Sequence, residues 1–250
     1  MLITETLGFY WLAFFGIILG RYFLIAGGAY WFFYLRKPAT NHKSHLTKVV
    51  WNSIRQDAEL SILSAVLFAF AAAFIKSKLD AGETLLYFSI ESYGGWYLVL
   101  SFLAVLILQD GYFYWLHRLF HHPLLFKWLH QGHHRSSEPT PWTSFAFDPP
   151  EALIHSLFLI AVVFLIPLHL IALIAVLMTM TIWAVLNHLG LELFPDSVLS
   201  QWFGKWLIGP KHHSRHHHKY RVHYGLYFTF WDWILKTHDP SYKSNTNSQK

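Results

Sequence analysis

Long apolar stretches separated by shorter polar ones lay out the chain. The first, residues 7–35, is broken only by Arg21 and exceeds the about 20 residues that cross a bilayer as a helix. It predicts one tilted span, or a span with an interfacial extension. Arg21 must snorkel to the interface or serve a site, because an isolated charge at that depth is costly. The run lacks the basic start and small-residue cleavage site of a signal peptide, so it is expected to be retained. Residues 36–59 are polar, with Arg36, Lys37, Lys43, Lys48 and Arg55 against Asp57 and Glu59. A second apolar run covers 60–75, followed by a loop with Lys76, Lys78, Asp80, Glu83 and Glu91. A third crossing starts at Trp96 and runs to Leu108; with no break before Pro123, its helix is expected to continue out of the bilayer. Residues 152–191 form the longest apolar stretch, and Pro167 near its middle predicts a hairpin of two helices.

The pattern gives an all-α polytopic membrane protein with about four transmembrane helices. By the positive-inside rule the loop at 36–59 is cytoplasmic and the loop at 76–95 faces the other side, with the N-terminus outside. The third crossing then returns to the cytoplasm, and the hairpin keeps the C-terminal segment on that side. Three regions are expected: N-terminal transmembrane helices and loops over 1–95, one domain over 96–240, and a polar, disordered tail over 241–250.

Composition sharpens this picture. Charged residues make up 13% of the 250 positions and aromatic ones 19%, a balance far from that of soluble domains. The net charge of +5 is scattered between apolar runs, which fits topology signals and no nucleic-acid contact. Cysteine is absent. That excludes a disulfide scaffold, a cysteine-ligated iron–sulfur cluster and a haem-thiolate site. Redox chemistry must use histidine, carboxylate or a diffusible cofactor.

Eighteen histidines are present, and many fall into three groups. His117 and His121 stand four apart on the predicted third helix, on one face. His130, His133 and His134 repeat spacings of three and four, as do His213, His216 and His217, and both sets are expected on helical faces. Imidazole suits iron, zinc, copper and nickel, and these eight ligands fit two ions better than one. Buried without metal they would cost solvation or repel one another. His42, His45, His155, His169 and His238 stand apart and read as ordinary core or surface residues. No Glu-x-x-His pair occurs at the clusters, which sets them apart from carboxylate-bridged di-iron bundles.

His-x-x-x-His, His-x-x-His-His and His-x-x-His-His, in this order between apolar segments, resemble the sterol desaturase and fatty acid hydroxylase superfamily, with the sterol C5-desaturase (lathosterol oxidase) branch the nearest. The stretches carrying the resemblance are QDGYFYWLHRLFHH at 109–122, LHQGHH at 129–134, EPTPWTSFAFDPPEAL at 138–153 and KHHSRHHHKYRVHYGLYFTFWD at 211–232. The resemblance implies a cytoplasmic, histidine-rich di-iron cap that uses O2 and two electrons to attack an unactivated C–H bond of a lipid. It carries metal-ligand roles to His117, His121, His130, His133, His134, His213, His216 and His217, and a further one to His188. Asp110, His212 and His218 are candidates for orienting the ligands from behind. Asp148 stands where the family usually has histidine, and His223 where it has asparagine.

The resemblance thus points to a lipid desaturase or hydroxylase, with a sterol as the expected substrate, drawn from the bilayer. Electrons are expected from a separate partner, cytochrome b5 or a ferredoxin with its reductase. The location would be the endoplasmic reticulum in a eukaryote or the inner membrane in a bacterium. A fatty acid, sphingolipid or carotenoid hydroxylase shares the same centre. A histidine-rich metal-binding or transport protein is the alternative of another class, but it should place its ligands at mid-membrane depth and in matched halves of the chain.

Overall fold

A computed structural model describes residues 2–36, 48–190 and 204–241. Helix α1 spans Leu2–Tyr30 and continues as a π-turn over Trp31–Leu35. Helix α2 spans Lys48–Asp80, α3 Gly95–Phe120 and the short α4 Phe126–Leu129. The apolar stretch with Pro167 is a hairpin, as expected, with α5 over Pro149–Leu165 and α6 over Leu170–Asn187. Among the described residues two further helices, α7 (Pro210–Lys219) and α8 (Phe230–Ile234), come after it. Strands of two residues each, Leu86–Tyr87 and Leu168–His169, pair in parallel beside the hairpin turn. Residues 60–75 prove to be only the middle of α2. Nothing between Lys48 and Asp80 breaks a helix, so the predicted loop at 36–59 is helical from residue 48 onward. Residues 37–47, with His42 and His45, lie outside the described residues, as does the predicted tail beyond residue 241.

Among the described residues four helices, over Thr6–Leu35, Trp51–Asp80, Gly95–Phe120 and Leu170–Asn187, are long and apolar enough to cross a membrane. Their outward faces are apolar: Leu24 is 77% exposed, and Phe70, Leu100, Ile107 and Ile174 are exposed as well. In water such a surface would be a liability; in lipid it is the expected one. Inside, small residues let the helices approach. Ala65 and Ala69 of α2 pack with Ile18 of α1, and Ala26 of α1 packs with Tyr22 and Val185, the packing that membrane interiors favour. A second core joins Val105, Val162, Val163, Leu168, Val176 and Tyr227 across α3, the hairpin and the segment before α8.

Polar bonds separate the two ends of the bundle. At one end Tyr10 of α1 bonds Asp80 at the close of α2. At the other, Tyr34 bonds the carbonyl of Leu189 past α6, and Asp57 of α2 bonds the loop before α5. The C-terminal ends of α3 and α6 share this second end, so the histidine-bearing segments meet there, as the parity of crossings predicts.

Asp110 ties the last part of the chain to α3. Its Oδ1 accepts the backbone N–H groups of Leu226, Tyr227 and Phe228 at 3.2, 2.7 and 3.2 Å, and the side chain is buried. Removing the carboxylate strands these donors at about 1–3 kcal/mol each. Asp110→Ala should therefore destabilise the fold by about 3 kcal/mol or more, read as an earlier thermal transition in detergent, whereas Asp110→Asn, which keeps one acceptor, should lose less.

Candidate metal centre

The second histidine motif comes after a short helix and a turn. His130 caps α4, and His133 and His134 lie in a 3-10 turn over His133–Arg135. The expectation of three imidazoles on one helical face fails here. Gly132 explains part of this: its N–H donates to Asp148 Oδ2 at 2.6 Å, and a Cβ on it would lie 2.3 Å from Asp148 Oδ1. Asp148, at the start of α5, thus draws the turn back onto that helix. The third motif is helical, on α7, but its imidazoles divide. His213 and His217 are four apart and face one way, while His216 points about 100° away from His217, the step of one residue in a helix.

The result is two groups. His117, His121, His130, His134 and His216 converge in one, and His133, His188, His213 and His217 in the other, with the ring nitrogens of each group within 4.8 Å of one another. All nine residues predicted as ligands are in these groups, and all are buried except His121, which is half-buried.

Backbone acceptors fix the rings. Nδ1 of His117 bonds Tyr224 O at 3.0 Å, that of His216 bonds Val222 O at 2.8 Å, and that of His133 bonds Ala146 O at 3.1 Å. His217 Nδ1 bonds Ser136 O at 3.1 Å and His188 Nδ1 bonds Ala184 O at 2.7 Å. A carbonyl can only accept, so each of these Nδ1 atoms carries the proton, and Nε2 of the neutral ring is a bare lone pair. Two of these lone pairs, those of His133 and His188, face each other. His133 Nε2 lies 3.3 Å from His188 Nε2, which lies 2.9 Å from His213 Nε2. In the other group His216 Nε2 is 3.0 Å from the Nε2 atoms of both His121 and His134. The Nε2 atoms of His117 and His130 are buried with no hydrogen-bond partner among the described residues.

Two lone pairs at that distance repel unless a cation lies between them. Nitrogens bound at about 2.1 Å to one ion are about 3 Å apart at a right angle and about 3.4 Å at the tetrahedral angle. The donor set therefore fits one metal ion per group, and the anchored Nδ1–H is how ligating histidines are held.

Glu151 adds a carboxylate that sequence reasoning missed. It is fully buried in the first turn of α5, with Oε1 2.8 Å from His130 Nδ1 and 3.6 Å from His155 Nε2. Burial works to raise its pKa, but the imidazoles of His130, His155 and His133 outweigh that and hold it below the usual carboxylate range. One acidic residue opening a strongly apolar helix was the available signal. His155, read as ordinary, is its neighbour.

The three candidates for orienting the ligands lie elsewhere. Asp110 grips the backbone at 226–228 and so holds the segment that carries the Tyr224 carbonyl, rather than a histidine. His218 is exposed, beside Glu138 at 3.4 Å. His212 belongs to a third set with His223 and His238. Backbone N–H groups of Gly209 and Asp239 donate to His212 Nδ1 and His223 Nε2 at 3.3 and 3.4 Å, so those two nitrogens accept bonds.

Burial, and then the neighbouring imidazoles, hold His133, His134, His213, His216 and His217 well below the ordinary histidine value. Burial also lowers His188, to about 4. Unfolding releases these rings to protonate near 6.5. Between that value and the depressed native ones the unfolded chain binds more protons, so stability falls as pH falls. Metal-free protein should keep a plateau of stability above about pH 6.5 and lose it progressively toward pH 4, as denaturant titrations across pH would show; metal should move the loss to lower pH.

Known proteins similar to this chain identify its family. The family model for fatty acid hydroxylase matches residues 102–237. Human lathosterol oxidase is 31% identical over 235 residues, which cover 94% of this chain and 73% of that protein. A Delta(7)-sterol 5(6)-desaturase of Gibberella zeae is 29% identical over 212 residues, 84% of this chain and 62% of its own length. One of Aspergillus fumigatus is 31% identical over 208 residues, 75% of this chain and 63% of its length. The chain thus spans somewhat under two thirds of these two fungal relatives. No solved structure matches it. With its central histidines inside the matched segment, the chain belongs to the fatty acid hydroxylase family.

Proposed function

We propose that each histidine group holds one iron ion and that the chain is a membrane-bound oxidoreductase which uses O2 to desaturate or hydroxylate a lipid, a sterol before others. The observation that carries the metal reading is the facing of two anchored lone pairs, His133 Nε2 and His188 Nε2, at 3.3 Å. Imidazole ligands leave iron, copper, nickel and zinc open; an oxidative lipid chemistry calls for a redox metal, since zinc has no redox chemistry. A pair of bound irons would supply activation of O2 for attack on a C–H bond.

The chain's own residues supply the rest. Val222 O, Tyr224 O, Ala146 O, Ser136 O and Ala184 O keep the Nδ1 protons in place, so the nitrogens that bind metal are chosen before metal arrives. Glu151 sets one negative charge against the imidazoles without reaching their Nε2 face. Phe113, Phe126, Phe147 and Tyr224 ring the two groups and keep the site apolar around its nitrogens, suited to a hydrocarbon substrate. The groups sit at one end of the bundle, where a lipid can reach them from the bilayer, and away from the mid-depth position of a transporter's site. We place that end on the cytoplasmic face, in reach of a separate electron donor such as cytochrome b5 or a ferredoxin with its reductase.

The sterol reading draws on the activities for which the similar desaturases are named; the matching family model keeps fatty acid hydroxylation as the second reading. Purified protein supplied with O2, a reductase system and a sterol carrying a Δ7 double bond should yield a C5(6)-unsaturated product. His133→Ala and His216→Ala, one from each group, should abolish turnover and lower bound iron while membrane insertion persists. Normal turnover by either variant would overturn the assignment, and oxidation of a fatty acyl chain in place of the sterol would select the second reading.

A further inference from the structure

Helix α2 carries an unusual stripe for a membrane helix. Ser53, Asp57, Ser61 and Ser64 recur at intervals of three and four and so share one face, and Asp57, Ser61 and Ser64 are buried. A carboxylate buried among apolar helices is costly unless it is bonded. Asp57 is bonded, and its partners lead to the metal centre.

Asp57 accepts Ser136 Oγ–H, at 2.8 and 2.9 Å from its two oxygens, and Thr143 Oγ1–H at 2.6 Å. Ser136 Oγ also meets Ser53 Oγ at 2.7 Å. Each partner fixes one acceptor of the second histidine group. The backbone carbonyl of Ser136 itself receives the Nδ1 proton of His217. Thr143 sits in the 3-10 turn Pro141–Phe145, accepts Thr140 N–H at 3.1 Å, and gives its own carbonyl to the N–H of Ala146; the carbonyl of Ala146 receives the Nδ1 proton of His133. The rest of the stripe grips the same loop: Ser64 bonds Phe147 O at 3.0 Å and Ser61 bonds Trp142 O at 3.4 Å, where Tyr22 of α1 also donates at 2.8 Å. The histidines of the first group lean on other acceptors, Tyr224 O and Val222 O, which Asp57 does not touch.

We infer that Asp57 is a positioning residue for the second histidine group, holding at once the two loop carbonyls that set the tautomer and direction of His217 and His133. It lies in the second membrane helix, outside the matched family segment 102–237. Through it the membrane stem tunes one metal position and leaves the other alone. As a statement about metal affinity this rests on the two-ion reading proposed above; as a statement about imidazole orientation it does not.

The test uses full-length protein in detergent with 15N-labelled histidine. In the metal-free state Asp57→Ala should shift or broaden the Nδ1–H resonances of His133 and His217 while leaving those of His117 and His216 in place. Ser136→Ala should move His217 alone and Thr143→Val His133 alone, two milder changes that keep the test usable if the carboxylate variant folds poorly. Asp57→Asn should restore most of both signals, because the two hydroxyls can reverse their bonds. In a cobalt titration the wild type should take two ions, and Asp57→Ala should bind the second about 10-fold more weakly. Uniform change across all four histidines, or none, would overturn the inference. Selective imidazole shifts in a protein that binds fewer than two ions would keep the positioning role and refute the two-ion reading instead.

Discussion

Among the described residues, much of the buried polar network serves one constraint: neutral imidazoles whose Nδ1 protons are committed to backbone carbonyls must point their Nε2 lone pairs at a common place. The carbonyls come from a wide set of segments. Ala184 O comes from the last turn of α6, Ser136 O and Ala146 O from the loop ahead of α5, and Val222 O and Tyr224 O from the turn after α7. The segments that carry most of these acceptors are in turn held by side chains. Asp232 accepts the N–H groups of Tyr224 and Gly225, Asp110 clamps the residues just after them, and Asp57 holds the other loop. Three buried carboxylates thus brace the carbonyls that brace the histidines. The fold resembles a frame whose purpose is to keep lone pairs together that would otherwise part.

A bilayer permits that arrangement only in one place. Along the four long helices the outward surface is apolar and the interior is filled by alanine, valine and leucine, so charges and bonded loops gather where helices end. The histidines of α3 occupy its last turn and cap, and His188 comes directly after the last turn of α6. The long α2 extends past the apolar run into the same region, which is how a residue on a membrane helix comes to bond the loops of the centre.

The chain's plan was legible wherever period and composition are strong. Four long apolar helices, the hairpin at Pro167 and the continuation of α3 toward Pro123 all arise from runs of apolar residues and breakers. Eight of the nine convergent histidines were legible too, because spacing and motif order mark them, and His188 was legible only through the family resemblance. Their division between two groups was not. His133 and His134 are neighbours in sequence yet part company, since the turn at Gly132 is set by Asp148, sixteen residues on. The start of α2 was missed because polar residues at 48–59 look like loop in isolation, although nothing there breaks a helix. Asp57, Asp110 and Glu151 act through hydroxyls, backbone N–H groups and an imidazole distant in sequence, and such bonds leave no local pattern.

The most direct test of the two-ion centre is X-ray absorption at the iron edge on protein loaded anaerobically with iron. A two-ion histidine centre should give about two irons per chain, surrounded chiefly by nitrogen at about 2.1 Å with the outer-shell scattering of imidazole rings. A first shell dominated by carboxylate oxygen, or iron that washes away while the histidine groups stay folded, would contradict it.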